Sequence, residues 1–276
     1  MRKFLLINAS SESYDLNDLD FFFHDPTGLG YTRATKYMQI GDIYIPYGDG
    51  IKQPKPSGKI RFKQPNAYDK YYDFTRFISK TPLVLRYTPS DTTFSMDCYV
   101  ETIKKKEIEG IGLDCDITFA GLTPYYKSFL MSSDGIASDG KLYDYTYPYK
   151  YSNVAAGTVA IDVDTNMDSP TKITIYGPCE KPSWTAYLNN QIRQTGTCDI
   201  TLISGHTLVI DTTKIPYSIT EQDLLGNVIY DRYEDSDLET DRFVFLKKGR
   251  NRITISQDGT SIPKLKVEAR LYYETV

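Results

Sequence analysis

Histidine and tryptophan are scarce: the 276 residues hold two of the first and one of the second. The four cysteines, Cys98, Cys115, Cys179 and Cys198, form no C-x-x-C pair and have only His24 and His206 for company. That argues against a zinc site, and the cysteines read as free, partly buried thiols in a protein made in the cytoplasm. Basic charge is also lacking. A net charge of −4 gives no electrostatic ground for nucleic-acid recognition. No apolar run approaches the roughly 18 residues of a membrane span. Phe4 to Ile7 is too short for a secretion signal, so no membrane association is expected. G-x-S-x-G, P-loop, G-x-G-x-x-G and H-E-x-x-H motifs are absent too. His24 stands beside Asp25, but a carboxylate adjacent in sequence seldom orients its neighbour's imidazole, and no nucleophile motif accompanies the pair. Catalysis and a cofactor are therefore not expected.

What the chain has in quantity is tyrosine, 24 residues of it, and aromatic richness favours strands. The front half is organised around Phe21 to Gly50. Phe21, Phe22 and Phe23 want burial. Asp25-Pro26-Thr27-Gly28-Leu29-Gly30 then breaks the strand, and its glycines tolerate positive φ. A hairpin follows, Thr35–Ile40 and Ile43–Tyr47, joined by Gly41-Asp42 in a primed turn. That register sets Ile40 against Ile43, Met38 against Ile45 and Lys36 against Tyr47, on one mostly apolar face. The other face carries Tyr37, Gln39 and Tyr44 and need not serve the core.

Along the chain, residues 3–8 read as a strand and Lys59–Phe62 as another. Asn66 to Ser79 reads as a helix, with Asn66 as N-cap and Ala67, Tyr71, Phe74 and Ile78 on one face. Leu83–Tyr87, Thr92–Lys104 and Gly112–Ala120 read as strands. Turn clusters at 132–135 and 138–140 then mark a boundary, followed by five tyrosines at period two from Tyr143 to Tyr151. From Gly157 the pattern is strand and turn alone. The expected architecture is mainly β: a small β-barrel domain with one helix over 1–135, a linker over 136–156, and an antiparallel β-sandwich of jelly-roll type over 157–276.

The glycine turn and hairpin, with Gly28, Leu29, Gly30, Gly48, Asp49 and Gly50, resemble the front of the distal tail proteins of siphophages. The resemblance continues through the helix to Ile117–Lys127, with its Pro124-Tyr125-Tyr126-Lys127 end. It extends to Ile173–Pro178, Leu208–Thr212 and Phe245–Asn251 in a lectin-like or carbohydrate-module-like second domain. It implies a virion structural protein at the distal end of a long non-contractile tail, assembled in the host cytoplasm. Its N-terminal domains would form a homo-hexameric ring that joins the tail tube protein to tail-tip, baseplate hub or receptor-binding proteins, with the C-terminal domains pointing outward. The genome would pass through the channel without specific binding.

In the ring, Tyr37, Gln39 and Tyr44 are the candidate oligomer contacts, and Gly28, Leu29 and Gly30 the turn motif. Another class of reading is a carbohydrate-binding module or adhesin on host glycans, with Trp184 as a stacking platform, although a lone tryptophan is more often a partly buried packing residue. Asp162, Asp164, Asn166 and Asp168 alternate as in a calcium loop. Met167 and Ile173, however, stand where an EF-hand needs glycine and glutamate. The acidic stretch Asp231 to Asp241 reads as an exposed loop.

Overall fold

The computed structural model describes residues 2–48, 50–134, 157–258 and 262–276. They form two compact units, Met1–Lys127 with Tyr272–Val276, and Ser128–Leu271. The linker expected over 136–156, with its five tyrosines, and Asp49 of the glycine motif lie outside the described residues.

The first unit holds β1 (Lys3–Ile7), β2 (Ser13–Asp15), β3 (Phe21–Thr27), β4 (Lys36–Ile40), β5 (Ile43–Gly48), β6 (Ser57–Lys63), α1 (Ala67–Ile78), β7 (Leu83–Thr88), β8 (Phe94–Glu109), β9 (Gly112–Gly121) and the start of β10 (Tyr125–Ser133). Antiparallel ladders run β2–β1–β7–β8–β9–β6–β3. Here the structure corrects the expected barrel, because no described ladder joins β3 back to β1. The three-residue β2 stops short, and Asn17 folds back so that its Oδ1 accepts the Phe4 amide at 2.6 Å. Among the described residues Leu16 bridges the gap, donating its amide to Phe4 O at 2.9 Å and accepting that of Phe23 at 2.8 Å.

Along β9 the period-two pattern is realised: Leu113, Cys115, Ile117 and Phe119 are buried, and Asp114, Asp116 and Thr118 are not. The core adds Phe4, Phe23, Phe62 and Phe74, with Phe4 edge-on to Phe23 at 5.0 Å. The helix buries Ala67, Phe74 and Phe77 and half-buries Tyr71 and Ile78. Its start differs from expectation. Asn66 is left-handed at φ 66° and its side chain caps nothing, so the helix begins without the expected N-cap bond.

The second unit continues with β11 (Thr158–Val163), β12 (Ser169–Tyr176), β13 (Cys179–Glu180), β14 (Ser183–Leu188), β15 (Gln191–Thr197), β16 (Thr201–Leu202), β17 (His206–Asp211), β18 (Ser218–Asp223), β19 (Val228–Asp231), β20 (Phe245–Leu246), β21 (Gly249–Ser256) and β22 (Leu265–Tyr273). One antiparallel sheet contains the order β19–β18–β17–β12–β22; a second runs β11–β21–β14–β15. Asn189 and Asn190, at φ 50° and 68°, turn β14 into β15 as a primed turn requires. The segment ahead of β20 ties the two sheets together. Thr171 of the first sheet donates its hydroxyl to Val244 O at 2.8 Å. Trp184 and Gln194 of the second donate to Arg242 O and Phe243 O, at 2.8 and 2.6 Å.

Candidate functional site

The sheet pairing of β4 and β5 makes a hairpin whose register matches the sequence reading at its tip. Ile40 faces Ile43, Gln39 faces Tyr44 and Met38 faces Ile45. Gly41 takes φ 62° in the turn, and Gln39 Nε2 donates to its carbonyl at 2.9 Å. Near the base the register shifts, so Lys36 faces Gly48 and not the expected Tyr47. The ribbon is prolonged by bonds from Ala34 N to Gly50 O, 2.8 Å, and from Lys52 N to Thr32 O, 3.0 Å.

This hairpin has no buried face. Tyr37, Ile40, Ile43 and Tyr44 are 59, 55, 67 and 64% exposed, and Met38, Gln39 and Ile45 are exposed as well. Neither the mostly apolar face nor the face with Tyr37, Gln39 and Tyr44 is covered by the described residues. A two-stranded ribbon in water is marginal on its own. Each large apolar side chain left wet forgoes about 1.5–3 kcal/mol of burial. Contiguous exposed apolar surface of this kind is a recurrent feature of interaction sites.

The hairpin is anchored at Gly28 and Leu29. Gly28 adopts φ 72°, and a Cβ there would strike the Lys55 carbonyl and come within 3.1 Å of Pro56 Cα. Leu29 packs against the core, whereas a Cβ on Gly30 would meet nothing within 4 Å.

The other candidates are placed as follows. Trp184 is 1% exposed, so neither ring face is open to a sugar. His24 Nδ1 does contact Asp25 Oδ2, at 3.1 Å, contrary to the sequence argument, because Asp25 turns to φ 51°. Its Nε2 is buried without a partner, and no described hydroxyl or thiol sits on it. Lys247 Nζ lies 3.4 Å from Asp168, and Lys248 Nζ donates to Asn166 at 3.0 Å, which puts cations where a calcium loop would hold one. All four thiols are buried, and burial pushes Cys98, Cys179 and Cys198 to about 12 and Cys115 to about 11.

Sequence reading missed one charged constellation. Glu221 on β18 is buried and takes Arg232 Nη2 and Nε at 2.6 and 2.9 Å, and it contacts His206 Nδ1 of β17. Burial alone would raise this carboxyl, but the hydrogen bonds from His206 and Arg232 outweigh it and hold it below 4.5. Partners so distant in sequence leave no local spacing to find.

Comparison with known proteins adds two findings. Residues 3–122 match the family described as "Distal tail protein, N-terminal domain". No curated protein matches. Among solved structures, the baseplate of phage P2 in its activated conformation with Ca is similar at TM-score 0.66 and 16% identity, over 100% of both chains. The same baseplate with Sr gives 0.66 and 17%, also over 100% of both. The Dit protein of phage SPP1, titled a paradigm of the hub adsorption apparatus in phages infecting Gram-positive hosts, gives 0.64 and 9%, over 96% of this chain and 98% of that one. The family match places residues 3–122 with the N-terminal domains of distal tail proteins, and over its whole length the chain shares the fold of the phage P2 baseplate chain and of SPP1 Dit.

Proposed function

We propose that this chain is a phage distal tail protein and forms a homo-hexameric ring at the end of a long non-contractile tail, with β4–β5 as the contact between neighbouring copies. The observation that carries the reading is the hairpin exposed on both faces. A head-to-tail ring needs two different surfaces per subunit, and a protruding apolar ribbon supplies one of them. Tyr37 and Tyr44 are suited to the contact because they bring large area at low entropic cost. The ring joins the tail tube protein to tail-tip or receptor-binding proteins, and the acidic balance of the chain, −4, lets DNA pass without being held. The support for this is family membership over 3–122 and the baseplate-type fold.

The test uses the full chain. Light scattering and negative-stain microscopy should show a ring with a central hole. The double variant Tyr37→Asp/Tyr44→Asp should give folded monomers by circular dichroism. Rings that persist in that variant would mean the hairpin is not the contact. A wild-type chain monomeric at every concentration would sink the ring itself.

A further inference from the structure

The second unit carries an exposed surface that the ring leaves unused. The strand β19 ends its sheet: it pairs with β18 on one side and, among the described residues, with no strand on the other. Its four residues, Val228-Ile229-Tyr230-Asp231, are all exposed. An apolar edge of this kind is a template for another strand, and neither lysine nor proline blocks it here.

Both ends of the edge are built in advance. Before it, Asp223 Oδ1 accepts the amides of Leu225 and Asn227 at 2.8 and 2.9 Å, and Oδ2 takes Asn227 Nδ2 at 2.8 Å. That turn holds Leu225 in water, 88% exposed. After it, Arg232 is fixed by Glu221 and Asp235 and lies 4.6 Å over the Tyr230 ring.

Beside Asp231 opens a cleft of about 620 Å³ lined by Ile215, Pro216, Tyr217, Asp231, Tyr233 and Phe243. Its rings pack in series, Tyr217 at 5.4 Å and Tyr233 at 6.2 Å from Phe243. One cation already uses them, since the Arg242 guanidinium sits 4.5 Å over Tyr233. Glu234, Asp235, Asp237 and Glu239 follow, all exposed.

We infer that the edge of β19, the aromatic cleft beside Asp231 and the acidic stretch that follows together dock an extended, basic segment of a partner protein. The backbone of that segment pairs with β19, and one of its Lys or Arg side chains enters the cleft beside Asp231. Charge complementarity selects this occupant. The stretch from Asp231 to Arg242 holds six carboxylates against two arginines, so a second copy would bring like charge to it, and a small free cation would leave the strand edge unpaired. The inference does not depend on the ring, which uses a different unit of the chain.

The probe is a labelled synthetic peptide alternating valine and arginine, with a valine–glutamate peptide as control. Each is titrated into the full chain by fluorescence anisotropy, and amide exchange is followed on the complex. The arginine peptide should bind, protect amides of 228–231, and weaken about tenfold between low and high salt. The variant Asp231→Asn/Glu234→Gln should weaken it about tenfold as well. Asp231 accepts the Tyr233 amide through Oδ1 at 3.0 Å, and the asparagine amide of the variant keeps an oxygen for that bond, so the fold is spared. Equal binding of the glutamate peptide, no binding of either, or binding without protection of β19 would overturn the proposal. So would full competition by free arginine amide, which would reduce the surface to a cation pocket, or dimerisation of the chain through β19.

Discussion

At the scale of single residues, Gly28 and Gly30 separate a required glycine from an unconstrained one. Gly28 combines φ 72° with a carbonyl where a Cβ would go. Gly28→Ala should cost about 1–3 kcal/mol in urea unfolding, and Gly30→Ala less than about 0.5. Equal costs would mean that the turn adapts. Tyr125 makes the opposite case. Its ring is in the core, but its hydroxyl is buried with no partner in the structure. Tyr125→Phe should therefore be neutral or stabilising by about 1 kcal/mol, since an orphan polar group is removed and no bond is lost. Glu221 gives the pH dependence. Its folded pKa lies below the 4.5 of the free side chain, so its contribution is complete above 4.5 and is lost as pH falls through the folded value. Acid unfolding of wild type should show this slope. Glu221→Gln should flatten it and, by removing the buried carboxylate that Arg232 and His206 share while Arg232 keeps Asp235, cost about 1–3 kcal/mol at neutral pH.

At the scale of elements, the hairpin shows what a sequence tells and what it withholds. Gly41-Asp42 between two β-rich runs fixes the turn and the tip register, because a primed turn is local chemistry. Whether a face is covered is not local. Alternation in Met38, Ile40, Ile43 and Ile45 looks the same whether the cover is the same chain or another, and here its own chain leaves it bare. The strand β9 is the contrasting case, where alternation and burial agree. The helix lies between them: its apolar face was legible, and the left-handed Asn66 at its start was not. Trp184 is legible as a packing aromatic, and it is buried; the partner of its indole N–H, the Arg242 carbonyl, is too distant in sequence to be read locally. Single aspartates at Tyr37 or Tyr44 should weaken self-association while leaving the unfolding free energy within about 0.5 kcal/mol of wild type, because both side chains are already in water. A large loss of monomer stability would show that the hairpin folds on its own unit.

At the scale of the whole molecule, the first unit is not a continuous stretch of chain, since Tyr272–Val276 returns to it. The sequence pattern suggests a clean division into two halves, because each half shows its own strand periodicity and a turn-rich segment lies between. Nothing local shows that the last residues belong with the first. Their contacts are specific. Tyr273 meets Phe94 edge-on at 5.4 Å, and Lys127 Nζ lies 4.6 Å over the Tyr273 ring. Tyr272 packs by Tyr126 at 6.4 Å, and Val276 reaches the core cluster. Aromatic pairs and a cation over a ring contribute about 0.5–1.5 kcal/mol each. Ending the chain at Leu271 should therefore destabilise the first unit by about 2–4 kcal/mol in total. Glu221→Gln, which lies in the second unit, should leave the first unaffected, so the two changes together assign the transitions in a calorimetric scan. A truncated chain whose unfolding profile matches wild type would show that the front of the chain is complete without its distant end.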